Sequence, residues 1–143
     1  MKKIQIILLF ACLSFACCDP VDGNYFFSFR PNEYTFDKEG GEITMKLENP
    51  IFRNYKIFDI GVLPWYDPDS LVYELSEEER IELSLDLEKD KSWYKITKLA
   101  NGDLHVWVDK NDKNYGRSIR VSVGDFSNDY GHAGGDVIIR QRK

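Results

Sequence analysis

Apolar and polar side chains alternate with a period of two over much of the chain from residue 34 onward. Tyr34-Thr35-Phe36 alternates, and so does Gly41 to Leu47, with Ile43, Met45 and Leu47 on one face and Thr44, Lys46 and Glu48 on the other. That is the pattern of half-buried strands. Gly40-Gly41 between the two runs is a turn signal. Lys56 to Leu63 forms a third run with Phe58, Ile60 and Val62 in phase. Pro64 is expected to end it, because proline cannot donate to a ladder. Trp93 to Leu99, Leu104 to Val108, Ser118 to Val123 and Val137 to Arg140 read as four further strands. Asn101-Gly102 predicts a tight hairpin between the first two of these.

The segment between Pro64 and Lys91 is less regular. Pro68-Asp69-Ser70 reads as a turn, and Ser76 with Glu79 three residues on reads as a helix start. Ile81, Leu83, Leu85 and Leu87 then alternate like a strand, so the expected helix is short. Many short strands with turn signals and no long helix predict an all-β, antiparallel sandwich.

The first residues follow another pattern. Lys2 and Lys3 precede an uncharged stretch, Ile4 to Ala16. A membrane-spanning helix needs ~20 apolar residues, and this stretch has instead the length of the apolar region of an export signal. It ends Leu13-Ser14-Phe15-Ala16-Cys17, with small side chains one and three positions before the cysteine. The segment resembles the lipobox of bacterial lipoproteins. It predicts removal of residues 1–16 and lipidation of Cys17, with Cys18 as the main competing site and Cys12, behind Leu9-Phe10-Ala11, as another. Two or three acyl chains give stable membrane attachment where one gives little. Residues 17–24, with Asp19, Pro20 and Asp22, are then an unstructured tether ahead of a domain at 25–143. The expected location is the outer membrane, on its periplasmic or cell-surface face.

Composition narrows the chemistry. All three cysteines fall within the first 18 residues, which excludes a disulfide or a cysteine zinc site in the domain. His105 and His132 are the two histidines, too few for a histidine-rich metal site. Removal of residues 1–16 leaves 127 residues and takes the formal charge from −5 to −7. An acidic balance argues against nucleic acid and anionic lipid as partners. Asp109 to Asn114 suggests calcium, but Lys113 and Arg120 occupy the fifth and twelfth positions of the loop, where an EF-hand needs oxygen ligands. The glycines at 131, 134 and 135 lack the Gly-Lys-Ser/Thr of a phosphate loop. No Gly-x-Ser-x-Gly elbow is present, and the abundant acids sit in runs such as Glu77-Glu78-Glu79. A non-enzymatic protein without metal or cofactor is expected.

Four stretches in order carry a family resemblance: Phe36-Asp37-Lys38-Glu39-Gly40-Gly41-Glu42-Ile43, Trp93-Tyr94-Lys95-Ile96-Thr97, Asn114-Tyr115-Gly116-Arg117-Ser118-Ile119-Arg120-Val121 and Gly135-Asp136-Val137-Ile138-Ile139-Arg140-Gln141. Together they resemble the BACON domain of Bacteroidota proteins, over about residues 33–141 and most strongly over 92–141. The resemblance implies an immunoglobulin-like β-sandwich, a non-catalytic role and the carbohydrate or mucin binding proposed for such domains. The acidic segment 64–91 departs from the family pattern. Independently of the family, Gly116 suits a turn with positive φ, and the planar polar groups of Arg117 and Gln141 suit them to tie loop carbonyls.

Aromatic residues make up 14% of the chain, enough for some to serve recognition. His105 and Trp107 face away from Leu104, Val106 and Val108. If 104–108 and 118–123 formed a hairpin, Arg120 would join them on one outer face. An indole beside a guanidinium suits sugar recognition, the ring on the apolar pyranose face and the fork on hydroxyls or a carboxylate; on the other reading segment 64–91 covers this face and Trp107 packs beneath it. Trp65-Tyr66, between Pro64 and Pro68, is a second candidate rim, or else a cap on the core. Trp93 is assigned to the core or to a hairpin pair. The expected partner is a glycan, or else an envelope protein that would make the chain a structural or interaction subunit.

Overall fold

The alternating runs become two four-stranded sheets. The computed structural model describes residues 27–66, 76–125 and 133–143. The strands are β1 (Phe29–Arg30), β2 (Glu33–Phe36), β3 (Gly41–Leu47), β4 (Lys56–Trp65), β5 (Tyr94–Lys98), β6 (Leu104–Val108), β7 (Gly116–Asp125) and β8 (Ala133–Gln141). A 3-10 turn, Pro50–Phe52, precedes β4, and one helix, α1 (Glu77–Lys89), lies between β4 and β5. The first sheet has the order β1-β3-β6-β5 and the second β2-β8-β7-β4. This is the strand order of an immunoglobulin-like sandwich. Its pairs are antiparallel except β2 with β8, which is parallel. The export signal, the tether, Cys12, Cys17, Cys18, His132 and the Pro68-Asp69-Ser70 turn lie outside the described residues.

The alternation puts one face of each sheet inside. Met45, Leu47, Leu104, Val106 and Val108 of the first sheet meet Val62, Ile119, Val121, Val123, Val137 and Ile139 of the second. Each such side chain contributes roughly 1.5–3 kcal/mol when fully buried. The Asn101-Gly102 hairpin joins β5 to β6: Gly102 has φ 93°, and Leu99 N–H donates to the Asp103 carbonyl at 2.8 Å.

Four expectations are corrected. β4 continues through Pro64 to Trp65, because β4 is an edge strand and the missing N–H is not needed there. Phe58 is out of phase with Val62: a bulge between Ile57 and Asp59 turns its ring outward, 54% exposed. Residues 81–87 are helical, within a 13-residue α1. Spacing of two splits on a helix into two i,i+4 stripes: Leu87 is buried and Leu83 half-buried, while Ile81 and Leu85 face out. The helix starts at a reciprocal cap, with Ser76 N–H donating to Glu79 Oε2 at 2.9 Å and Glu79 N–H to Ser76 Oγ at 3.3 Å. Glu77, Glu78 and Glu79 in its first turn and Lys89 in its last suit the helix dipole. Finally, Gly116 is needed for closeness rather than for positive φ. A Cβ there would stand 2.5 Å from the Trp65 carbonyl oxygen and 3.0 Å from that of Gln141.

Candidate functional site

A buried polar cluster organises one end of the sandwich. Arg117 Nε donates to Gln141 Oε1 at 2.7 Å, and its Nη2 donates to the carbonyls of Asp109 at 2.9 Å and Lys110 at 3.1 Å. Gln141 Nε2 donates to the Asp109 carbonyl at 2.8 Å and the Lys38 carbonyl at 3.1 Å. Asn111, itself buried, donates to the carbonyls of Tyr115 and Arg142, both at 2.9 Å. These bonds fix loop 109–115 and bear out the tying role expected of Arg117 and Gln141. The Arg117 guanidinium also lies 3.9 Å from the Trp93 ring centre. Burial pushes its pKa down and the Asp109 and Asp90 carboxylates pull it back; a guanidinium stays charged at any accessible pH.

Trp107 and His105 do share the outer face of the first sheet. Trp107 stands between Glu42 of β3 and Lys95 of β5, and His105 between Thr44 and Thr97. His105 Nδ1 is 3.2 Å from Thr44 Oγ1, and its Nε2 is 3.5 Å from Glu42 Oε2. The indole is 37% exposed. The result is a face with one open aromatic surface bordered by an acid, an amine, an imidazole and two hydroxyls.

Arg120 is not part of that face. β6 and β7 belong to different sheets, and residues 109–115 cross between them instead of turning a hairpin. Arg120 therefore lies on the opposite outside of the sandwich, paired with Asp136, whose other oxygen accepts from Ser122 Oγ at 2.7 Å. Hydrogen bonds from Arg120 first and Ser122 second hold the Asp136 carboxyl below its usual range.

Trp65 lies on a groove between α1 and the outer face of the second sheet. The groove encloses about 940 Å³ and is lined by Leu63, Trp65, Ile81, Leu85, Ile138 and Arg140, among others. Leu63, Ile81 and Leu85 are each more than half exposed there. The sequence reading missed these three; the available signal was Ile81 and Leu85 four apart behind the Ser76 cap. Tyr66 is half-buried and its hydroxyl has no partner among the described residues, so it presents no polar tip to a ligand. Burial raises its pKa, against the influence of Arg80. Trp93 is core, 4% exposed.

Among the described residues no three His, Cys, Asp or Glu side chains converge as metal ligands, and no helix is long and apolar enough to cross a membrane. No family model and no curated protein matches the chain. The fold is similar to the NMR structure of a protein from Bacteroides thetaiotaomicron, with a TM-score of 0.50 and 18% identity over 87% of this chain and 93% of that one. At that identity the likeness concerns the fold alone.

Proposed function

We propose that the chain is a lipid-anchored, non-catalytic binding module of the cell envelope, held at the outer membrane by acyl groups on Cys17 or its neighbour Cys18, and that it recognises glycans. The lipobox-like start supports the anchor, and the BACON resemblance supports the ligand class. The observation that carries the reading is the open Trp107 indole with Glu42 and Lys95 directly across from it and His105 two residues along its strand. The ring offers a stacking surface for a pyranose and the borders offer donors and acceptors for hydroxyls. Trp107 also lies far along β3 from the strand where the described chain enters the sandwich. Phe29 pairs with Leu47 at one end of β3 and Trp107 pairs with Glu42 near the other, a separation of ~17 Å along the strand.

A glycan array with the purified chain tests this. Trp107→Ala should weaken binding by about tenfold or more, the equivalent of ~1.4 kcal/mol, and Arg120→Ala should leave it unchanged. Failure of the wild type to bind any glycan, or equal binding by Trp107→Ala, would refute it.

The groove favours a second reading, a protein-interaction subunit of an envelope complex with no small ligand. Strand addition is disfavoured for such a partner, since β4 carries a bulge and Pro64, β5 carries Lys95 and Lys98, and β1 and β2 are short. On this reading Leu85→Glu would release the partner from the purified complex and Trp107→Ala would not.

A further inference from the structure

We infer that the groove between α1 and the second sheet docks a cationic amphipathic segment of a partner protein, one that sets apolar side chains between lysines or arginines. The proposal rests on the interaction reading of the groove and names the partner's chemistry; it is independent of the glycan face and of the lipid anchor. Among the described residues four large apolar side chains are more than half exposed, Phe58, Leu63, Ile81 and Leu85, and the last three line this groove. Ile81 and Leu85 stand one turn apart on α1, about 6 Å along its axis. Trp65 and Ile138 add to the apolar lining.

The charge around that stripe is one-sided. On a helix the neighbours of a side chain are those three and four places away. For Ile81 and Leu85 these include Glu77, Glu78, Glu82 and Glu88, against Lys89 alone. None of the four glutamates makes an ion pair among the described residues. Arg80 also lines the groove. The other cations nearby are engaged, Arg140 with Glu33 at 2.8 Å and Lys113 with Asp86 at 3.4 Å. Glu79, held in the helix cap, adds to the acidic excess. Residues 67–75 contribute Asp67, Asp69 and Glu74 and no cation, so they cannot reverse its sign. Glu78, Glu82 and Asp86 stand four apart in a row beside the stripe, the spacing at which like charges repel. Lys113 answers Asp86, and no described cation pairs with the other two.

This pattern selects the occupant. A second copy of the chain, at −5, brings like charge to an acidic surface, and so does its own segment 67–75. A neutral apolar ligand fills the groove and leaves the acids as they are. A segment with lysine or arginine on either side of its apolar anchors covers Ile81 and Leu85 and neutralises Glu78 and Glu82 together. Anchors one helical turn apart, as in an amphipathic helix laid in a groove, match the spacing of the two side chains. Trp107 lies on the outside of the other sheet, so both surfaces can be occupied at once.

The test is a nuclear magnetic resonance titration of the purified full chain with two synthetic helical peptides, one of leucine and lysine and one of leucine and glutamate. The leucine–lysine peptide should shift amides of 80–88 and 62–65 and leave those of 104–108 unmoved. Ile81→Gln with Leu85→Gln should weaken its binding about tenfold or more. Glu78→Gln with Glu82→Gln should weaken it several-fold, as should high salt, and Trp107→Ala should change nothing. Both double variants keep good helix formers on an exposed face, so the fold survives them. Equal binding of the two peptides in the groove would overturn the cationic assignment and leave the interaction reading standing. No shift in the groove with either peptide would overturn both. Shifts spread over the acidic surface without a focus at 81 and 85 would also overturn the proposal. So would a wild-type dimer that Ile81→Gln with Leu85→Gln dissolves, which gives the groove to a second copy.

Discussion

Arg117 and Gln141, both almost fully buried, are joined side chain to side chain across 2.7 Å. Their remaining donors reach carbonyls of four residues, Asp37, Lys38, Asp109 and Lys110, in two separate loops. Loss of either partner leaves part-buried acceptors without their donors. Arg117→Met is expected to cost about 1–3 kcal/mol, read from denaturant midpoints. Arg117→Lys should recover little of it, because an ammonium lacks the planar fork. Full recovery by lysine would show that charge alone matters at this position.

Tyr55 is 1% exposed and its hydroxyl has no hydrogen-bond partner among the described residues. Burial first, and the Asp103 carboxylate second, push its pKa well above the ordinary value. The folded state thus holds the phenol protonated. Its contribution is intact below about pH 10, the unfolded tyrosine value, and is lost as pH rises from there toward the folded value. Tyr55→Phe should keep the ring contacts and raise stability at neutral pH by up to about 1 kcal/mol. It should also move alkaline unfolding to higher pH. A loss of stability at neutral pH would mean that the hydroxyl does useful bonding after all.

Asp136 gives the acid counterpart. Its carboxyl is held low by Arg120 and Ser122, so its contribution is present above the unfolded value of about 3.9 and disappears as pH falls through the lower folded value. Asp136→Asn should flatten the stability profile below about pH 4. The effect will be modest, since Arg120 is largely exposed and solvent screens the pair. An unchanged acid limb in thermal melts taken across that range would count against the pair.

Helix α1 can be checked by comparing neighbours. Leu87→Ala should cost about 2–5 kcal/mol, the range for a buried leucine, whereas Leu85→Glu on the exposed stripe should stay within about 0.5 kcal/mol. Ser76→Ala should cost about 1 kcal/mol through loss of the cap. Equal costs at 85 and 87 would mean that the helix is rotated from the orientation described.

The strands were legible in the sequence because each sheet has one dry face, which forces strict alternation through Gly41–Leu47, Leu104–Val108 and Ser118–Val123. The same rule misled at Ile81 to Leu87, where a period of two fits either a strand or two stripes of a helix, and the Ser76–Glu79 cap should have decided. It misled at Phe58, since a bulge leaves no mark in the composition of the run. The site was half legible. Alternation placed His105 and Trp107 together and outward. The placement of Arg120 beside them depended on which strands are neighbours, and that is set by the path of loop 109–115, which local pattern does not encode.

The parallel pairing of β2 with β8 bears on when the molecule can fold. Glu33 stands beside Ile138 and Phe36 beside Gln141, with contacts such as Glu33–Arg140 spanning 107 residues. Gln141 also supplies the side chain that closes the buried cluster. A chain emerging N-terminus first would therefore have β2 unpaired and the cluster open until residues 138–141 emerged. The ring closure is entropically costly at that length, so the β2–β8 edge and the buried cluster are the last parts of the sandwich able to lock.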